Sequence, residues 1–226
     1  MILSGDYTVS FPRCITQLYF YFVAGIAEDM VLLVMAYDRY VAICQPLYYH
    51  QRLNKKMCVL LTAAIWFFAC TNSALFIHQV LQLSFHHFVT IYHFFCDFKV
   101  LFHAGYDSSN KHYIIFILIE VIVFGILPLS YNFKSYVKII SGILLIKNKE
   151  GRKKAFSTSS SHLTVMIIYY GSALCDYMIP PSEQTRFLEQ ALSTFYTAVI
   201  PILNPIIYSL RNNEVKKALQ RSVSRK

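Results

Sequence analysis

The chain has 226 residues, of which 56% are hydrophobic and only 15% charged, with mean hydropathy +0.44 and net charge +9. A soluble domain carries about 25% charged residues, so this composition excludes an ordinary water-soluble fold and points to a bilayer. The cations lie in the gaps between apolar stretches and not on one compact module. Topology explains that pattern, and no nucleic-acid partner is expected.

Five apolar segments are expected to cross the membrane as helices, which makes the fold all-α. They are 15–41, 57–81, 112–137, 161–179 and 188–210, each close to the ~20 residues that a span needs. Residues 1–13 lack the basic start and apolar core of a cleavable signal peptide. The first segment ends at Asp38-Arg39, and the second carries the single Trp, Trp66. Pro128 is expected to break the third, Pro180-Pro181 stops the fourth, and the fifth contains Pro201 and Pro205. Membrane helices tolerate such prolines better than soluble ones.

The gaps set the expected orientation. Arg52, Lys55 and Lys56 follow the first span. Lys138, Lys147, Lys149, Arg152, Lys153 and Lys154 follow the third, and Arg211, Lys216, Lys217, Arg221, Arg225 and Lys226 sit in the tail 211–226. The other side holds only Arg13, Lys99, Lys111 and Arg186. The positive-inside rule puts the tail in the cytoplasm and the N-terminus outside.

The six cysteines include no C-x-x-C pair, which argues against a structural zinc site. His86, His87, His93 and His103, with Cys96, are metal-ligating types in one loop. Scattered histidines in a water-facing loop more often bond to solvent, so no metal and no cofactor are expected.

Four stretches carry more specific information. The first is Met35-Ala-Tyr-Asp-Arg-Tyr-Val-Ala-Ile-Cys44, followed by Pro46-Leu47. Ionisable groups at the edge of a hydrocarbon span are costly and usually functional, although a lone D-R-Y is also just a helix end with a snorkelling Arg. The second is Lys154-Ala-Phe-Ser-Thr-Ser-Ser-Ser-His162, whose Ser157–Ser161 run reads as a capped polar helix start or as a phosphorylation target. The third is Ser135-Tyr136 after Pro128, and the fourth is Pro201-Ile-Leu-Asn-Pro205-Ile-Ile-Tyr208-Ser-Leu-Arg-Asn212. Residues 214–224 then read as a short amphipathic helix on the inner surface.

Together these stretches resemble the olfactory receptors, a branch of the rhodopsin-like, class A G-protein-coupled receptors, over about 8–219. Ser159 stands where the family has Cys. The resemblance implies a seven-helix bundle with five helices present, read as one partial receptor domain over 1–226. It implies a non-enzymatic receptor for a small, mostly apolar odorant that activates a heterotrimeric, stimulatory G protein from the plasma membrane. Asp38, Arg39, Tyr40, Tyr136, Asn204, Pro205 and Tyr208 would form the inner, G-protein-coupling switch. Tyr21, Phe22, Gly25, Ile26, Glu120, Val121, Phe124, Tyr170, Leu174 and Tyr177 would line the odorant pocket. Membrane lipid would surround the bundle.

The resemblance further implies a disulfide between Cys14 and Cys96, while His86 and Tyr106 occupy the places of two further loop cysteines. Glu28 would be a buried polar residue facing an Asp of the family's second helix, which is expected to lie outside this sequence. On this reading the chain is N-terminally truncated, without the first two helices and without any N-x-[ST] sequon. The alternatives are a non-signalling truncated receptor or pseudogene product, or a small membrane transporter or channel. The last would predict internal repeats or a charged path, and Glu28, Asp29 and Glu120 form no evident relay.

Overall fold

The computed structural model describes residues 9–83, 95, 96, 98, 101, 102, 111–179 and 184–203. Secondary structure among them is entirely helical: α1 Phe11–Cys44, α2 Tyr49–Arg52, α3 Lys55–Leu81, α4 Lys111–Val121, α5 Leu127–Leu144, α6 Lys149–Met178 and α7 Arg186–Thr194. Among the described residues three stretches are long and apolar enough to cross a membrane: Phe11–Cys44, Lys55–Leu81 and Ile114–Leu144. The expectation of five spans also counts α6 and α7. Residues Lys149–His162 make the first half of α6 basic and hydroxyl-rich, so the helix is not apolar throughout.

Local chemistry sets the helix ends. The Ser10 carbonyl accepts from Cys14 N–H at 3.0 Å, and Pro12 falls in the first turn, where a missing N–H costs nothing. Pro46 follows the end of α1. Asn54 caps α3 by accepting from Met57 N–H at 2.9 Å, and Asn148 caps α6 by accepting from Glu150 N–H at 3.1 Å.

The fourth helix therefore begins at Lys149, well before the expected boundary at 161. Ser157–Ser161 are not a helix start but lie inside α6. Their hydroxyls are served within the helix: Ser161 Oγ donates to the Ser157 carbonyl at 2.9 Å and Thr158 Oγ1 to the Lys154 carbonyl at 3.1 Å. Hydropathy marks where a helix is apolar, not where its backbone hydrogen bonding begins.

Pro128 does not break its helix either. A five-residue π-turn, Ile122–Ile126, joins α4 to α5, with Leu127 N–H bonding the Ile122 carbonyl. A second π-turn, Phe195–Val199, follows α7, with Ile200 N–H bonding the Phe195 carbonyl. Each π-turn ends two residues before a proline, Pro128 or Pro201. A proline lacks the N–H for a bond to i−4 and its ring crowds that carbonyl; a widened turn just before it relieves both.

The chain divides into two compact units. The first comprises Met1–Val31 and Leu53–Pro128, the second Leu32–Arg52 and Leu129–Lys226. In the first, Leu18, Phe76, Ile77, Val80 and Leu101 pack around the Cys14–Cys96 disulfide, and Val23, Ile26, Ala27 and Ala69 form a second cluster. In the second, Ala36, Tyr136, Ile139, Ile143 and Met166 form one core, and Leu32, Val165, Tyr169 and Ile200 another. Gly142 sits where α5 passes the last turn of α1; a Cβ there would lie 3.1 Å from Cys44 Sγ and 3.2 Å from Ile43 Cγ2.

Candidate functional site

The inner-end residues converge within the second unit. Arg39 Nη2 lies 2.5 Å from Asp38 Oδ2, in a pair whose side chains are 34% and 24% exposed. The other carboxylate oxygen, Oδ1, accepts from the Tyr49 hydroxyl at 2.9 Å. Asp38 is thus held on both oxygens, by its neighbour on α1 and by the first residue of α2. Tyr40 points its ring under Lys138 Nζ at 5.5 Å and its hydroxyl accepts from Gln45 Nε2 at 3.4 Å. Cys44 Sγ reaches the Lys138 carbonyl at 3.5 Å, which ties the end of α1 to α5.

Tyr136 is buried on α5. Its hydroxyl shares a 2.6 Å hydrogen bond with His162 Nδ1 on α6, and the two rings stack with centroids 5.9 Å apart. One turn earlier on α5, buried Asn132 donates from Nδ2 to the Tyr170 hydroxyl at 3.0 Å. Arg39 thus presents charge near the surface, and behind it two side-chain hydrogen bonds cross between α5 and α6. Asn204, Pro205 and Tyr208, named for the same switch, lie outside the described residues, as do the tail 211–226, His86, His87, His93, His103 and Tyr106.

The expected pocket residues fall in both units. In the first, Tyr21 and Phe22 pack on the disulfide-centred cluster, Phe22 4.1 Å from Phe76 by ring centroids. Ile26 is buried, and Phe124 packs on its cluster. Among the described residues, and apart from its chain neighbours and its own helix backbone, no atom stands within 4 Å of where a Cβ on Gly25 would lie. Glu120 is half-buried and accepts from Asn72 Nδ2 at 3.1 Å. Val121 is 52% exposed, about 100° around the helix from Glu120. In the second unit Tyr170 bonds Asn132 as above, and Leu174 is 61% exposed. Tyr177 lies in α6, with its side chain outside the described residues.

Cys14 and Cys96 are joined by the expected disulfide, with Cα atoms 5.4 Å apart, and Cys96 N–H also donates to Gln17 Oε1 at 3.3 Å. Glu28 is half-buried instead of buried; the carboxylate that α1 turns inward is its neighbour Asp29, only 3% exposed. Among the described residues no group of His, Cys, Asp or Glu is arranged to hold a metal ion.

Sequence reasoning gave no role to Tyr49, His162, Asn72 or Asn132. Asn72 and Asn132 carry a usable signal, an amide inside an apolar run. Tyr49 carries none.

The family model described as "Olfactory receptor" matches residues 1–226. Human olfactory receptor 1M1 is 38% identical over 223 residues, 99% of this chain and 71% of that relative's length. Human olfactory receptor 10J4 is 41% identical over the whole chain and 72% of its own length. Mouse olfactory receptor 1M1 is 38% identical over 225 residues, covering 72% of its length.

Proposed function

Because the chain belongs to the olfactory receptor family, whose members are G-protein-coupled odorant receptors and not enzymes, we propose that Asp38, Arg39, Tyr40 and Tyr136 form its coupling switch. The protein is a multi-pass membrane protein. We place it in the plasma membrane with its N-terminus outside and its tail in the cytoplasm, on the charge distribution of its loops. Its partners are then a small, mostly apolar odorant, a heterotrimeric G protein of the stimulatory, olfactory type, and lipid. Tyr21, Phe22, Ile26 and Phe124 supply the aromatic and aliphatic surface that such a ligand needs, with Gly25 among them on α1.

The observation that carries the reading is the Asp38–Arg39 ion pair with Tyr49 on its second oxygen. A charge pair that is partly exposed and held by local partners can exchange those partners for groups on a docking protein. That is a two-state electrostatic element of the kind that switches use. The Tyr136–His162 bond is a buried link between α5 and α6. The resemblance implied Tyr136 as support for Arg39; His162 is the group that holds its hydroxyl in this state.

In cells with a stimulatory G protein and a cAMP reporter, Arg39→Ala is expected to abolish the odorant-evoked rise at unchanged surface level. A full response from that variant sinks the assignment.

A further inference from the structure

The α3–α4 pairing in the first unit has an order that packing alone does not require. On α3, Phe68, Asn72 and Phe76 recur every four residues; on α4 and into its π-turn, Phe116, Glu120 and Phe124 do the same. The two stripes run antiparallel and meet rung by rung. Phe76 and Phe116 have ring centroids 5.9 Å apart, Asn72 Nδ2 lies 3.1 Å from Glu120 Oε2, and the Phe68 and Phe124 rings are 5.9 Å apart. A carboxylate–amide pair is thus bracketed on both sides by aromatic pairs.

An ionisable side chain inside an apolar span costs several kcal/mol and marks a functional site by default. Asn72 donates one hydrogen bond to one oxygen, whereas a carboxylate offers about four acceptor positions, and a neutral amide cannot cancel its charge. The nearest basic residues along these helices are His78, six residues beyond Asn72, and His112, eight before Glu120, with Lys111 one residue further. At 1.5 Å per residue His78 and His112 sit about 9 and 12 Å away along the axes. Ring faces add attraction for a cation. The π-turn Ile122–Ile126 begins two residues after Glu120, and such turns recur at functional sites.

We propose that Glu120, positioned by Asn72 and flanked by Phe116 and Phe124, binds the ammonium group of a protonated amine odorant. The assignment rests on the odorant-receptor reading and narrows it to a ligand class. An alkylamine, like the lysine side chain with its pKa near 10.4, is a cation at neutral pH. Its head would pair with the carboxylate, and its tail would lie on the rings.

The test is equilibrium binding of hexylamine against hexan-1-ol to the purified full chain in lipid nanodiscs. The chain is expected to bind the amine roughly ten- to a hundredfold more tightly than the alcohol, the worth of a hydrogen bond to a charged group. Glu120→Gln keeps shape and one acceptor and is expected to erase that preference while alcohol binding stays. Asn72→Ala is expected to weaken the amine alone. Helical content and the Cys14–Cys96 bond, measured on each variant, report folding separately. Equal binding of amine and alcohol by the unmutated chain, or a preference that survives Glu120→Gln, overturns the amine assignment and leaves the odorant reading standing. Binding of neither probe overturns both.

Discussion

Asp38 is satisfied by two groups of different character. Arg39 contributes charge at 2.5 Å, and Tyr49 contributes a directional hydrogen bond at 2.9 Å that fixes which way the carboxylate faces. Hydrogen bonds to charged groups are worth about 1.5–3 kcal/mol, and partial exposure reduces this one to about 1 kcal/mol, a factor of roughly five. Tyr49→Phe removes the hydroxyl and keeps the ring. It is expected to raise basal cAMP severalfold at matched surface level, because the resting ion pair loses its second tether. An unchanged baseline would show that Tyr49 does not hold the switch. Asp38 and Arg39 are legible in the sequence because they are adjacent and their neighbours are distinctive. Tyr49 is not, because its partner lies 11 residues away across a turn. His162 was visible as a residue and not as a partner; Tyr136 stands 26 residues earlier, on another helix.

Among the elements, α6 departs furthest from its hydropathy. Its polar half is helical because Asn148 caps it and because its hydroxyls bond to carbonyls three or four residues back. Asn148→Ala is expected to cost about 1 kcal/mol, a typical loss for an N-cap. Amide hydrogen exchange should then quicken at residues 149–153 and stay unchanged beyond 163; uniform protection along the helix would contradict the cap assignment. The apolar halves of the helices were legible from composition, since a run of ~20 apolar residues has few alternatives. The π-turns were not. Proline alone announces an interrupted helix, and only the backbone shows that both interruptions are absorbed by a widened turn in the same register.

For the molecule as a whole, the all-α class and the family follow from short motifs spread along the chain. The division into two units does not, because it cuts within α1 and each unit joins segments distant in sequence. The Cys14–Cys96 bond closes a sequence separation of 82 residues inside the first unit. Constraining the unfolded chain over such a loop is worth about 2–5 kcal/mol. Cys14→Ser is therefore expected to lower the melting midpoint of the detergent-solubilised protein, and added reductant should bring the unmutated chain to the same value. A midpoint indifferent to both would show that the bond carries no stability. Large apolar side chains such as Phe67, Phe133 and Ile167 are exposed along the helices, in keeping with a lipid surround.

The length of α1 fixes how deep its inner end can lie. Its 34 residues extend about 51 Å, against a hydrocarbon thickness of about 30 Å. A 40° tilt, the steep end of the observed range, still takes up only about 39 Å. About eight residues must therefore stand clear of the acyl chains. Arg13 and Asp38 are 25 residues apart, about 38 Å along the axis, so both reach the headgroup layers together. Glu28 and Asp29 are then left near mid-depth, and Arg39, one residue beyond Asp38, shares its headgroup layer.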